Sequence, residues 1–258
     1  MAEPAHSELI RDQFTRQAGV FNAAATITNE QALKMIVAAG RPGPDDTVLD
    51  VACGGGIIVC AFAPHVRQAT GIDMTPAMLD QSRKLAAERK LANTAWKQGD
   101  VTTLPFPDAS FSIVVTRFSF HHFLDPLAVL KEMMRVCAPG GRIVIVDMYC
   151  SEDPAKAAQW NRLEKLRDPS HVRCLPLSEL KALFGKVGLP APEAGFYDLR
   201  DSVKNLLGRS FPNPGDDVRV TEMFERSITD DSLGLEVERK DNELRYAYPT
   251  AILSAVRP

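Results

Sequence analysis

Short apolar runs broken by glycine or proline alternate with amphipathic stretches over the first 150 residues of this chain. Thr47-Val-Leu-Asp-Val51 is β-branched and apolar, and it predicts a buried parallel strand. The glycines of Ala52-Cys-Gly-Gly-Gly56 predict the tight turn after it, with Ile57 to Ala63 opening a crossover helix. Val66 to Ile72 predicts a second strand ending at Asp73, and Thr75-Pro76 a helix start, with threonine as cap and proline in the first turn. Further strands are expected at Thr94–Lys97, Ser112–Thr116 and Arg142–Asp147, with a helix from Asp125-Pro126 to Cys137 between the last two. Five such units in sequence argue for a doubly wound α/β fold, its sheet mostly parallel with helices on both faces.

The flanks read differently. Residues 7 to 40 are expected to be helical, with Thr28 and Gln31 forming a capping box before Ala32, Leu33, Ile36 and Val37. After Ser151 a charged amphipathic helix (152–167) leads to a polar connection, Arg167 to Arg173, then to a helix from Ser178 to Val187. A β-like segment is expected near 193–199, helices in parts of 200–230, and a last strand over Tyr246–Val256. The organisation is therefore one domain: a helical cover over 1–40, a ligand-binding core over 41–150, a lid over 151–235 and a last strand over 236–258. Open α/β sheets bind ligands beyond the carboxyl ends of their strands, where such a lid would lie.

Composition narrows the partner. The chain has 258 residues, 45% hydrophobic, a net charge of -3 and no clustered Lys and Arg, so a nucleic-acid partner is not expected. No window approaches the length of a membrane span, and the polar N-terminus lacks a signal-peptide pattern, so a cytoplasmic protein without stable membrane insertion is expected. Five cysteines, odd in number and without a Cys-x-x-Cys pair, read as buried hydrophobes in a reducing compartment. No metal set is apparent.

The chemistry gathers on acids at strand ends. Asp50 can accept from a cationic amine or a hydroxyl. Asp73, 19 residues after Gly54, stands where a carboxylate grips the two hydroxyls of a ribose. The alternative for Asp73 is a cap on the next helix. Asp100, 27 residues further, can accept from an exocyclic amino group, or be a solvated turn residue.

These segments together resemble the class I S-adenosylmethionine-dependent methyltransferases. They are most similar to the methyltransferase type 11 branch that includes the ubiquinone/menaquinone-biosynthesis C-methyltransferases. The resemblance covers roughly residues 10 to 190 and rests on Val48-Leu-Asp-Val-Ala-Cys-Gly-Gly-Gly56, Gly71-Ile-Asp-Met-Thr-Pro-Ala-Met78, Gly99-Asp-Val101, Leu104-Pro-Phe-Pro-Asp-Ala-Ser-Phe111, His121-His-Phe123 and Ala138-Pro-Gly-Gly-Arg-Ile143. The spacing Phe14-x3-Ala18-x2-Phe21-Asn22 is similar to that branch's N-terminal cofactor cover. Ala52 departs from the family pattern, which has glycine there.

The resemblance implies a seven-stranded Rossmann-like sheet and S-adenosyl-L-methionine as cofactor. It implies that Asp50, Ala52, Gly54 and Gly56 hold the methionine part, Asp73 with Met74 the ribose, and Asp100 with the Val101 backbone the adenine. Arg117, Phe118 and Phe21 would line the sulfonium, whose charge suits aromatic faces. The partner is then a small-molecule methyl acceptor, quinone-like, aromatic or otherwise, with a homodimer left open. His122 and His171 are the candidate catalytic bases, with His121 beside them, although in-line methyl displacement can proceed by positioning alone. Two other readings stand beside this one. A nicotinamide-dependent dehydrogenase shares the sheet and the ribose acid but expects Gly-x-Gly-x-x-Gly and gives Asp100 no role. A catalytically silent cofactor-binding or scaffold protein would keep the cofactor half alone.

Overall fold

Strands covered on both faces carry buried side chains at nearly every position, and β1 (Thr47–Val51) and β4 (Phe111–Arg117) do so. Their alternation assigns the two faces. Val48, Ile113, Val115 and Val144 pack on one side, and Leu49, Val51, Val114 and Ile145 on the other. The computed structural model describes residues 5–22 and 28–258; the side chains of Val20 and Phe21 lie outside the described residues.

In chain order the elements are α1 (His6–Phe21), α2 (Glu30–Gly40), β1, α3 (Ile57–Phe62), β2 (Gln68–Asp73), α4 (Pro76–Glu88), β3 (Thr94–Gln98), β4, α5 (Pro126–Val136), β5 (Cys137–Met148), α6 (Pro154–Arg167), α7 (Leu177–Lys186), β6 (Glu193–Ser202), α8 (Val203–Gly208), α9 (Asp216–Asp230), β7 (Glu238–Lys240) and β8 (Glu243–Val256). The sheet runs β3-β2-β1-β4-β5-β8-β6, with β7 paired to β8 off this path. Strands β1 to β5 pair in parallel, and β8 inserts antiparallel between β5 and β6. This is the expected doubly wound, mostly parallel sheet. The strand order reverses between β1 and β4, the point where folds of this type open a ligand crevice.

Helices α2, α3 and α4 cover one face through Leu33, Ile36, Ile58, Phe62 and Leu79, while α5 and α7 cover the other through Leu130, Met133, Leu183 and Phe184. All five cysteines are buried free thiols. No described helix is long and apolar enough to cross a membrane.

Two expectations need correction, and one element was not anticipated. The cap of α2 is Asn29, whose side chain accepts the Ala32 N–H at 2.9 Å, and not Thr28. The hairpin of β7 with β8 turns through Asp241 and Asn242, both at positive φ, a pairing of turn-prone residues that signals such a hairpin. The segment read as a lid is largely a third core. Trp160 and Leu163 of α6, Val203 and Leu206 of α8, and Val220 and Phe224 of α9 pack on Tyr246 and Tyr248 of β8. Their apolar faces are spent on the sheet.

Trp160 is fully buried, with its ring 5.2 Å from that of Tyr248. Trp160→Ala is expected to cost about 3 to 5 kcal/mol of stability in denaturant unfolding, the scale of emptying a buried aromatic site. A loss under about 1 kcal/mol would return this region to a loosely attached flap.

Candidate functional site

The turn after β1 is built by close approach of the chain to itself. Gly56 is the N-cap of α3 at φ 78°, and a Cβ there would meet Trp96 at 2.7 Å and Ser82 at 2.8 Å. A Cβ on Gly55 would meet the Asn22 side chain, which donates to the Gly55 carbonyl at 3.0 Å and clasps the end of α1 onto the turn. Ala52, where glycine was expected, takes the left-handed conformation at φ 59°. Phe118, after β4, does the same at φ 55°. Non-glycine residues held in this region store strain of the kind that gathers at functional sites.

Around the turn lies a cavity of about 410 Å³. Its walls bring together Asp50, Ala52, Gly54, Asp73, Met74, Asp100, Val101, Arg117, Phe118 and His122, ten of the residues singled out in the sequence. Asp73 accepts the Gly54 N–H with one oxygen and the Thr75 N–H with the other, both at 2.8 Å. It therefore ties the turn to the start of α4 and keeps further lone pairs for a ligand. Asp100 accepts from the Thr102 backbone N–H and hydroxyl, each at 2.8 Å, in an exposed turn.

Asp50 is buried, and its Oδ2 has no hydrogen-bond partner among the described residues. Burial, then the neighbouring charge of Asp73, pushes its carboxyl well above the usual range, and Arg117 pulls against them. Asp73 is raised by burial while its backbone hydrogen bonds oppose the shift. The Arg117 guanidinium stacks 4.5 Å from the Phe118 ring centre and interacts with Tyr197 and Asp50.

The remaining wall is α1, whose His6, Ile10 and Phe14 recur at helical spacing on the cavity side together with Ser7. Phe14 belongs to the expected cover; His6 was missed, although the four-residue stripe was its signal. His6 Nε2 donates to the His122 carbonyl at 2.7 Å and clasps the other end of the helix.

Three predicted residues remain. Gly56 shapes the turn from behind the wall. The side chain of Phe21 lies outside the described residues. His171 does not reach the cavity, and no residue of 151–235 lines it. Its ring is fully buried, bonded through Nε2 to Asn161 Oδ1 at 2.9 Å, and burial pushes it down to about 2. The expectation that His171 faces an acceptor is corrected. Asp168 and Ser170 of its segment are buried with it, Asp168 Oδ1 accepting from Ser170 N at 2.9 Å and from Ser170 Oγ at 2.6 Å. Glu164 nearby pairs with Arg167 and with Tyr248, each at 2.5 Å. His121 is bound to Asp147 at 2.7 Å, which raises it against the opposing effect of burial. His122 lines the cavity, and burial and then His121 lower it to about 4.

Residues 49–145 match the methyltransferase domain family. The chain is 35% identical to an uncharacterized methyltransferase, YcgJ, of Bacillus subtilis, over 66% of this chain and 68% of that one. The chain belongs to the methyltransferase family. The YcgJ crystal structure superimposes on this methyltransferase with a TM-score of 0.81 and 27% identity, over 88% of this chain and 98% of that one. A demethylmenaquinone methyltransferase of Deinococcus radiodurans is 42% identical over 39% of this chain and 42% of its own. In fold alone, the methyltransferase is also similar to geranyl diphosphate C-methyltransferase of Streptomyces coelicolor, solved with Mg2+, geranyl diphosphate and S-adenosyl-L-homocysteine. That match has a TM-score of 0.63 and 18% identity over 89% of this chain and 79% of that one.

The Asp50 carboxylate gives a sign that can be tested. Its folded form titrates above the unfolded one, so the folded state holds the proton more tightly. The stability this contributes is present at low pH and lost as pH rises through the folded value. Asp50→Asn is therefore expected to raise the melting temperature of the ligand-free methyltransferase at pH 7, with the advantage gone below about pH 4. Calorimetric melting at both pH values checks it, and a lower melting point for the variant at pH 7 contradicts it.

Proposed function

We propose that this methyltransferase uses S-adenosylmethionine to methylate a small-molecule acceptor. The observation that carries the reading is three carboxylates, Asp50, Asp73 and Asp100, at the ends of the adjacent strands β1, β2 and β3, all on the wall of one cavity. The unpartnered Oδ2 of Asp50 fits an ammonium group, whose positive charge would relieve the burial that now opposes ionisation. Asp73 would take the ribose hydroxyls with the lone pairs that Gly54 and Thr75 leave free. Asp100 and the Val101 backbone would take the adenine, with Met74 beside them. The S-adenosyl-L-homocysteine in the geranyl diphosphate enzyme, which shares the fold, supports this cofactor.

When bound, the cofactor supplies a methyl group made electrophilic by its sulfonium. The chain's part is to position and to exclude water. Ile10 and Phe14 of α1, with Phe123 and Leu124 before α5, give the acceptor side apolar walls. Phe118 offers one ring face, the other being covered by Arg117. His122 is uncharged at neutral pH and is the wall residue suited to take a proton from the acceptor. The acceptor is a small molecule matched to that apolar side.

The test is binding followed by transfer. S-adenosylmethionine should raise the melting temperature by mass action, and NAD should leave it unchanged. Asp100→Ala should weaken that binding by about 1.5 to 3 kcal/mol, the scale of a hydrogen bond to a charged group, with little change in the ligand-free melting point because the turn is exposed. Equal shifts with both cofactors would sink the assignment, and unchanged calorimetric affinity in Asp100→Ala would remove the adenine role. Binding without any transfer of labelled methyl into a mixed metabolite extract would reduce the protein to a cofactor-binding module.

A further inference from the structure

Behind His122 stands a polar relay that cofactor binding does not use. His122 Nδ1 lies 3.1 Å from the Ser170 carbonyl oxygen and 3.2 Å from Ser170 Oγ. A carbonyl oxygen can only accept, so the network assigns the ring hydrogen to Nδ1. The Ser170 hydroxyl is committed the other way, donating to Asp168 Oδ1 at 2.6 Å, and Ser170 N donates to the same oxygen at 2.9 Å. Ser170 Oγ therefore turns lone pairs, not a hydrogen, towards the imidazole. All three residues are buried, and of the three only His122 lines the cavity. The lone pair of the ring is left on Nε2, the nitrogen remote from Ser170.

We infer that Asp168 and Ser170 are positioning residues that hold His122 as its Nδ1–H tautomer and so present Nε2 as the proton acceptor of the cavity. The inference rests on the methyl-transfer reading. As the acceptor's electron pair forms the bond to the methyl carbon, the proton it releases goes to Nε2. The pair of the breaking carbon–sulfur bond returns to sulfur.

The charges facing the ring decide what the relay does at that moment. From the end of α6, Asp168 favours the imidazolium and Arg167 opposes it, as does His121 alongside, 4.4 Å away between ring centres. His171 lies 6.4 Å off and is itself held uncharged by burial. From α1, Phe14 meets the ring edge-on at 5.1 Å, and His6 bonds the backbone carbonyl rather than the imidazole. His121 is engaged by its own carboxylate, Asp147. Asp168 is thus the carboxylate placed to stabilise the charge that His122 acquires. The His122 and Arg167 charges, with the bonds from Ser170, hold it ionised down to about 2 against burial.

The experiment follows ring nitrogens by 15N NMR in the full chain, with and without S-adenosylhomocysteine. Wild-type His122 should carry its hydrogen on Nδ1 and titrate near 4. Asp168→Asn should lower that midpoint, Asp168→Glu should restore it, and Ser170→Ala, which keeps the backbone carbonyl as acceptor, should leave the hydrogen on Nδ1. In parallel, the rate of labelled methyl transfer from S-adenosylmethionine into a mixed small-molecule extract should fall at least about tenfold in Asp168→Asn, with the KM for S-adenosylmethionine unchanged and rescue by glutamate. An Nε2–H tautomer in the wild type, or an unmoved midpoint in Asp168→Asn, overturns the inference, as does an undiminished rate in both Asp168→Asn and Ser170→Ala. Failure of S-adenosylhomocysteine to bind, or no transfer by the wild type, overturns the methyl-transfer reading instead and leaves the tautomer assignment standing.

Discussion

One carboxylate ties the site together. Asp73 ends β2, and its two oxygens accept the N–H groups of Gly54 and Thr75. A single side chain thereby sets the turn after β1 and the start of α4, two elements that share no strand. The bonds also offset much of what burial costs the charge. Asp50, on the neighbouring strand, has no such backbone donors at Oδ2, so its penalty stands. The pair divides the labour of the wall. One acid is spent on architecture, and the other keeps an oxygen without a hydrogen-bond partner among the described residues.

The parts legible in the sequence were those whose signal is local. Parallel strands buried on both faces appear as unbroken apolar runs, so Thr47–Val51 and Ser112–Thr116 could be read directly. The acids at strand ends were legible because each βα unit has a nearly fixed length, which spaces them regularly along the chain. His122 could be singled out as a residue type, but its tautomer could not. Ser170 lies 48 residues away, and only the fold brings its carbonyl to the ring.

The misreading of 151–235 has the same root. Polarity in Arg167–Arg173 argued for solvent, yet Asp168, Ser170 and His171 are buried. Burial of polar groups is tolerable where they find partners, and here Ser170 bonds Asp168 and His171 Nε2 bonds Asn161, while Glu164 takes Tyr248, 84 residues away. No pattern within one helix reveals such pairing. The stripe of His6, Ile10 and Phe14 was visible as helical periodicity, but what it covers was not, because one apolar face fits a sheet or a cavity equally well.

The lone oxygen of Asp50 bears on more than recognition. A buried carboxylate whose ionisation is opposed weakens the fold at neutral pH, and a cation bound beside it would offset that cost and shift the folding balance by mass action. Cells remove chains in proportion to how often they open. A chain built this way would last longer where such a cation is plentiful and be thinned where it is scarce.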